Sequence, residues 1–166
     1  VFSYAGGFSV HALANNAKEV TSLDISKHAL ELALANGRLN PHNGKHHILA
    51  GDAFNEMRTL ISEKKTFEVV VIDPPSFAKS AKEVEIAKKK YAELAFLGAK
   101  LTSKGGMLVL ASCSSRVSAD DFFEINKKTL QSQPKKYTMI DATAHDIDHP
   151  ISFKEGAYLK CGYYKF

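Results

Sequence analysis

Short apolar runs alternate along the chain with longer segments whose apolar residues recur at helical spacing. The run 69–72 consists only of β-branched residues, which is typical of a central parallel strand covered on both faces. In Ser26–Asn36, apolar positions between Ala29 and Ala33 follow a helical period, and Ser26 is predicted to cap that helix.

Six strands and five helices follow from this pattern. Strands are predicted at Glu19–Leu23, His46–Ala50, Glu68–Ile72, Met107–Ala111, Tyr137–Ala142 and Ala157–Tyr164. Helices are predicted at Ser9–Asn16, Ser26–Asn36, Ala53–Glu63, Val84–Leu101 and Ala119–Gln131. Strands alternating with helices indicate an open α/β sheet. Thr143–Gly156 is predicted as a loop, so we expect the last two strands to pair as an antiparallel hairpin.

Composition limits the class of protein and its compartment. The 166 residues fit one domain, and no apolar stretch is long enough to cross a bilayer. Cys113 and Cys161 are too few for a disulfide framework and have no metal-type spacing, so we expect a soluble cytoplasmic protein without a metal. The net charge of +4, densest around Lys88–Lys90, permits a nucleic-acid partner without requiring one.

A glycine-containing turn opens the chain. Residues 2–8, FSYAGGF, lead into the first predicted helix, and the glycines there allow a tight turn close to a ligand. The turn has neither the GxGxxG pattern of dinucleotide-binding proteins nor a P-loop lysine. Because the chain starts at this turn, we expect a shortened first strand and a fragment of a longer protein.

Two acidic residues follow the next two strands. Asp24 is placed to accept both hydroxyls of a ribose, and Asp52 to meet the exocyclic amine of an adenine. Either acid alone could be a helix cap. Two acids and a glycine turn after successive strands are harder to explain as caps, which favours a nucleoside site.

The chemistry-bearing residues are predicted after the strands at 68–72 and 107–111. Asp73-Pro74-Pro75 makes a rigid elbow, and Phe77 is either a platform for a flat substrate or a core residue under the loop, with equal weight. Cys113, between serines at the end of a central strand, is a candidate nucleophile, although most cysteines are buried packing residues. Cys161 is expected to be inert.

Taken together, these motifs resemble the class I S-adenosylmethionine-dependent methyltransferases. The strings FSYAGGFSVHA, DPPSFAKS, ASCSS and DHP followed by YLK look more narrowly like the bacterial ribosomal RNA large subunit methyltransferase I family. That family makes 5-methylcytosine in 23S ribosomal RNA. The resemblance implies a Rossmann-like sheet of seven strands in the order 3-2-1-4-5-7-6, the last strand antiparallel, with residues 1–166 as the catalytic domain.

The resemblance also implies a role for each matching residue. S-adenosylmethionine would be held by Phe2, Ser3, Tyr4, Gly6, Asp24, Asp52, Ala53, Asp73 and Pro74. Within that set, Asp24 would hold the ribose and Asp52 with Ala53 the adenine. The target base would meet Pro75 and Phe77, and Cys113 and Asp73 would be catalytic.

In the implied mechanism, the Cys113 thiolate adds to cytosine C6 and makes C5 nucleophilic, while Asp73 steadies the ring at N3. The target base must leave its stack to enter such a pocket. Members of the family carry an RNA-binding region before the first strand, which this sequence lacks, so we expect the 166 residues alone to bind cofactor weakly and not to methylate RNA.

Two other functions remain open at this stage. A ribosomal RNA guanine-N7 methyltransferase has a related turn and elbow but needs no thiol. A cofactor-binding or assembly domain without activity would keep the fold alone. Whether His149 and Lys160 touch RNA or only shape the terminal hairpin also stays open, with the structural role favoured.

Overall fold

A computed structural model describes residues 1–153 and 156–166, which divide into two units, Val1–Thr59 and Leu60–Phe166. The boundary lies within one helix, α3 (Ala53–Ser62).

The first unit is a two-stranded parallel sheet with helices. Strand β1 (Glu19–Asp24) pairs with β2 (Lys45–Ala50) along its whole length, and helices α1 (Gly7–Ala14) and α2 (Lys27–Arg38) precede these strands. Burial of apolar side chains from the helices and from β1 forms the core, which contains Leu13, Leu23, Ala29, Leu30 and Ala33. The predicted cap is confirmed, because the Ser26 side chain accepts a hydrogen bond from the Ala29 N–H at 3.2 Å.

Residues 1–3 are not a strand, yet they lie beside β1. The Ser3 N–H donates to the Leu23 carbonyl at 3.0 Å, whereas the next carbonyl, that of Asp24, accepts from Gly51 just after β2. Successive carbonyls of a strand point to opposite sides. Ser3 therefore lies along the edge of β1 that faces away from β2.

The second unit is a four-stranded sheet in the order β3-β4-β6-β5. The strands are β3 (Phe67–Ile72), β4 (Thr102–Ser112), β5 (Thr138–Thr143) and β6 (Lys160–Lys165). A short 3₁₀ helix (Ala81–Glu83) leads into α4 (Val84–Leu101), and α5 (Ala119–Gln131) follows β4. β3 and β4 are parallel, whereas β6 is antiparallel to both neighbours.

The core of this unit lies between the sheet and its two long helices. Tyr91 and Leu94 of α4, Leu108 of β4, Phe122 of α5 and Tyr164 of β6 are all almost fully buried. Tyr91 and Phe122 meet edge to face with ring centroids 5.4 Å apart, a favourable geometry for aromatic pairs.

The predicted elements agree with the observed ones to within three residues, except that β4 begins at Thr102, five residues before the predicted Met107. Helices α4 and α5 have the predicted bounds, and the antiparallel hairpin of the last two strands is confirmed. The last strand begins at Lys160 instead of residue 157, because Lys160 pairs with Ser112 and the partner strand ends there. Of the predicted loop 143–156, residues 154 and 155 lie outside the described residues. Six strands in two sheets are described, so the seven-strand order stays a prediction.

Two kinds of feature are absent from residues 1–153 and 156–166. No helix there has the length and apolar character needed to cross a membrane. No group of three or more His, Cys, Asp or Glu side chains in those ranges is arranged to hold a metal ion.

The turn before α1 depends on Gly6. Its backbone has φ +81°, and a Cβ there would lie 2.6 Å from Cβ of Ala33 in α2. Asn36 of α2 also donates to the Ala5 carbonyl at 3.0 Å. The close contact and this hydrogen bond hold the turn against α2.

Gly6→Ala should lower the free energy of unfolding by about 2–4 kcal/mol, because left-handed backbone and overpacking both penalise a Cβ. Gly7→Ala is the matched control, since a Cβ at Gly7 would meet nothing within 4 Å. Its effect should stay within about 1 kcal/mol. Urea unfolding of the two variants measures the difference, and equal losses would contradict this account of the turn.

Candidate active site

In the first unit, the glycine turn has an unusual backbone. Phe2 and Tyr4 adopt positive φ, +58° and +46°, so that three residues between positions 2 and 6 are left-handed. Such conformations are uncommon for residues with a Cβ and concentrate at functional sites. Tyr4 is 72% exposed. The Ser3 hydroxyl is buried without a hydrogen-bond partner among the described residues.

Asp24 is fixed at the end of β1 by two backbone donors. The Tyr4 N–H donates to Oδ2 and the Ser26 N–H to Oδ1, both at 2.9 Å. Each carboxylate oxygen can accept a further bond. The carboxylate is therefore pre-oriented, joins the glycine turn to the start of α2, and retains capacity for two ligand hydroxyls.

Asp52 has the simpler environment of a helix cap. Its Oδ1 accepts from the Asn55 N–H at 3.0 Å, at the amino end of α3, and the side chain is exposed. Ala53 beside it is 5% exposed. The capping role that the sequence left open for Asp52 is thus observed, and it does not prevent the other oxygen from meeting a ligand.

The residues of this unit fit the nucleoside part of S-adenosylmethionine. The pre-oriented Asp24 carboxylate, the exposed Asp52 and the unpaired Ser3 hydroxyl offer the polar groups that a ribose, an adenine amine and an amino acid group require. The open space beside Gly7 leaves the backbone accessible.

In the second unit, the elbow after β3 is joined to the loop after β4 by buried hydroxyls. The Ser114 Oγ contacts the Ser76 Oγ at 3.0 Å and the Tyr91 hydroxyl at 2.8 Å, and it accepts from the Phe77 N–H at 3.3 Å. Ser112 donates to the same tyrosine hydroxyl at 2.8 Å. Burial raises the pKa of Tyr91, which keeps this hydroxyl protonated.

The Cys113 thiol lies at this junction. The half-buried side chain directs Sγ towards the Pro74 carbonyl at 3.9 Å, so the thiol lies beside the Asp73-Pro74-Pro75 elbow. Cys161, in β6, is paired with Ala111 on one side and Thr143 on the other. Burial raises the pKa of the Cys161 thiol, which disfavours a thiolate there.

Asp73 and its neighbours show graded exposure. Burial raises the pKa of the Asp73 carboxyl, which favours its protonated form. Pro74 is buried and Pro75 is exposed.

The Phe77 ring is half-buried. Its centroid lies 5.2 Å from that of the Tyr91 ring and 4.9 Å from the Lys90 ammonium. These contacts favour the packing role for Phe77, since a stacked base would compete with Lys90.

Lys160 and His149, whose roles the sequence left open, differ sharply. Lys160 is 4% exposed and donates to the carbonyls of Ser114, Val117 and Tyr158. His149 is exposed and pairs with Asp148 at 2.9 Å, a contact that raises the pKa of the imidazole. Lys160 is thus part of the loop architecture after β4.

Comparison with known proteins identifies the family. The family model described as S-adenosylmethionine-dependent methyltransferase matches residues 1–142. The chain belongs to this methyltransferase family. A curated relative from Deinococcus radiodurans, named ribosomal RNA large subunit methyltransferase, is 39% identical over 160 residues. One from Erwinia tasmaniensis, named ribosomal RNA large subunit methyltransferase I, is 35% identical over 162 residues.

Solved structures agree with this family fold. The chain of SMU.776, provisionally described as a methyltransferase and crystallised with SAH, matches with a TM-score of 0.84 and 26% identity over 99% of this methyltransferase chain. Another solved structure, of a protein from Streptococcus mutans, matches with a TM-score of 0.84 and 25% identity over 99% of this chain. The α/β Rossmann-like class is therefore confirmed.

The matched proteins are longer than this methyltransferase chain. It covers 39% of the Deinococcus relative and 41% of the Erwinia relative, although 96% of the chain itself aligns with each. It likewise covers 43% of the SMU.776 chain.

Sequence reasoning missed the contributions of Tyr91 and Ser114, and it left Lys160 open. Tyr91 lies in the middle of α4, where its spacing indicates only a core position. The hydroxyl groups of the serines around Cys113 are evident in the sequence, but their hydrogen-bond partners are 21 or more residues away along the chain. The string YLK contains Lys160, so resemblance was the one available signal for that residue.

Asp24→Asn should lower the free energy of unfolding by about 1–3 kcal/mol, because an amide cannot accept both backbone N–H groups and leaves one donor unpaired. Asp52→Asn is the control: asparagine caps a helix as well as aspartate does, so its loss should be below about 0.5 kcal/mol. Urea unfolding compares them. A cost for Asp52→Asn as large as that for Asp24→Asn would refute the distinction.

Proposed function

We propose that this chain is the catalytic domain of a longer methyltransferase that uses S-adenosylmethionine to methylate C5 of a cytosine in 23S ribosomal RNA, with Cys113 as the covalent nucleophile. The curated relatives named as ribosomal RNA large subunit methyltransferases support the RNA substrate. The greater length of these relatives supports an additional RNA-binding region in the whole protein.

The observation that carries the proposal is the position of the Cys113 thiol. It follows a central strand, lies beside the Pro74 carbonyl at 3.9 Å, and is held between two serines that hydrogen-bond to Tyr91. A structural cysteine needs no such fixed backbone on either side. Methylation of guanine N7 would require no thiol at this position.

We assign cofactor binding to Phe2, Ser3, Tyr4, Gly6, Asp24, Asp52, Ala53, Asp73 and Pro74. Asp24 holds the ribose hydroxyls with the acceptor capacity left by its two backbone donors. Asp52 with Ala53 meets the adenine. When bound, S-adenosylmethionine supplies an electrophilic methyl group on a sulfonium sulfur.

The residues of the second unit supply the covalent chemistry. The Cys113 thiolate adds to C6 of cytosine, and the electron pair of the C5–C6 double bond forms a C4–C5 double bond. The pair of the C4–N3 double bond moves to N3, which takes a proton from Asp73. The raised pKa of Asp73 favours the protonated carboxyl that this step needs. C5 becomes the enamine-type nucleophile that would take the methyl group, as the bond from that group to the sulfonium sulfur breaks and leaves a thioether. N3 then returns its proton to the Asp73 carboxylate, and transfer of the C5 proton to water expels the Cys113 thiolate and restores the aromatic ring.

Pro75 and Phe77 border the place assigned to the target base. Pro75 is the exposed residue of the elbow, whereas Phe77 must keep or exchange its contact with Lys90 when a base arrives. Entry of the base requires it to be flipped out or single-stranded. The two free thiols are compatible with the reducing cytoplasm in which we place the reaction.

The seven-strand order 3-2-1-4-5-7-6 is part of the proposal. The pair β2-β1 corresponds to strands 3-2, and the sheet β3-β4-β6-β5 corresponds to 4-5-7-6. The hydrogen bond from Ser3 to Leu23, on the edge of β1 away from β2, is where strand 1 would pair.

Cys113→Ala in the full-length protein should lower methylation of undermodified ribosomal RNA by more than about 10³-fold, the scale expected for loss of a nucleophile. Binding of S-adenosylhomocysteine, followed by calorimetry, should be unchanged because Cys113 is assigned to the base. Cys161→Ala is the control and should retain turnover.

If the Cys113→Ala variant methylated RNA at the rate of the unsubstituted protein, the thiol would have no catalytic role, and guanine-N7 methylation would be favoured. Binding of S-adenosylhomocysteine by an unmodified protein that transfers no methyl group would instead favour a non-catalytic domain. Loss of turnover in both cysteine variants would leave Cys113 without a specific role and contradict the mechanism.

A further inference from the structure

Lys160 is a buried cation whose ammonium is enclosed by carbonyl oxygens. Its Nζ lies 2.5 Å from the Ser114 oxygen, 2.6 Å from that of Val117 and 3.0 Å from that of Tyr158. A neutral amine has only two N–H donors, whereas an ammonium has three. Three carbonyl acceptors therefore match the charged form, and they compensate part of the cost of burying it.

Two of these carbonyls belong to the segment that follows Cys113. Ser114 is the next residue, and Val117 ends the turn closed by its own N–H to the Ser114 carbonyl at 3.3 Å. Lys160 also pairs with Ser112 across the β4–β6 ladder. The lysine therefore fixes the backbone on both sides of the thiol.

We propose that Lys160 is a positioning residue that holds the 113–117 loop and supplies positive charge favouring the Cys113 thiolate. The inference rests on the proposed function, in which that thiolate is the nucleophile. It extends that function by naming the group that prepares the thiol before RNA arrives.

The electrostatics agree with this geometry. Burial lowers the pKa of Lys160, and negative charge on Cys113 opposes that by raising it. The Lys160 ammonium, bonded to the carbonyl of the residue that follows Cys113, therefore places a buried positive charge close to the thiol. Negative charge on Cys113 also raises the pKa of Tyr91 in α4, and the charge of Asp73 raises the pKa of Cys161.

The test measures alkylation of Cys113 by iodoacetamide against pH in the full-length protein, followed by mass spectrometry of the Cys113 peptide. Lys160→Gln keeps two N–H donors and removes the charge, and Lys160→Met removes both. In each, alkylation of Cys113 at neutral pH should be about tenfold slower than in the unsubstituted protein, and the profile should move to higher pH.

Lys135→Gln is the matched control. Lys135 is also partly buried and donates to two backbone carbonyls, those of Ala99 and Thr102, but Cys113 is not among the groups that shift its pKa. The substitution should reduce thermal stability and leave the Cys113 profile in place. Methylation by Lys160→Gln should fall about tenfold at neutral pH and recover as pH rises.

The proposal would be overturned if Cys113 alkylation depended on pH in the same way in Lys160→Gln as in the unsubstituted protein. It would also be overturned if Lys135→Gln shifted that pH dependence as much as Lys160→Gln does. Failure of both Lys160 variants to fold would also contradict it, because Lys160 would then be a structural residue. Alkylation needs neither RNA nor cofactor. A shifted profile combined with an active Cys113→Ala variant would therefore support Lys160 and reject the proposed mechanism.

Discussion

The second unit depends on one fully buried serine, Ser114, whose polar atoms all have partners. Its N–H donates to Ser112, its carbonyl accepts from Lys160, and its hydroxyl contacts Ser76, Phe77 and Tyr91. A hydroxyl has one donor and two acceptor sites, so three partners saturate it. This residue connects β4, β6, α4 and the elbow after β3, and it adjoins the proposed nucleophile.

Fixing both flanks of Cys113 has a functional consequence. A thiol on rigid backbone can be held near its reaction geometry before substrate binds, which reduces the entropic part of the barrier. The elbow contributes in the same way, because consecutive prolines limit the backbone that carries Asp73. Burial of Asp73 raises the pKa of its carboxyl, which is the direction that the proposed proton donation needs.

Much of the fold was predictable because its signals are local. The β-branched run 69–72, the cap at Ser26 and the bounds of α4 and α5 follow from side-chain periodicity and capping. The start of β6 at Lys160 was not predictable, since it is decided by where the partner strand ends at Ser112. Tyr91 and Ser114 were missed for the same reason: their roles depend on partners distant in sequence. For Asp24 and Asp52 the sequence identified the residues, but only the structure distinguished the doubly bonded carboxylate from the helix cap.

The identity of the methylated nucleoside tests the central claim most directly. The full-length protein carrying this chain is incubated with undermodified ribosomal RNA and isotopically labelled S-adenosylmethionine, and the digested RNA is analysed by mass spectrometry. The account predicts label in 5-methylcytidine. Label in a methylated guanosine would preserve the family and the fold but contradict the proposed covalent role of Cys113.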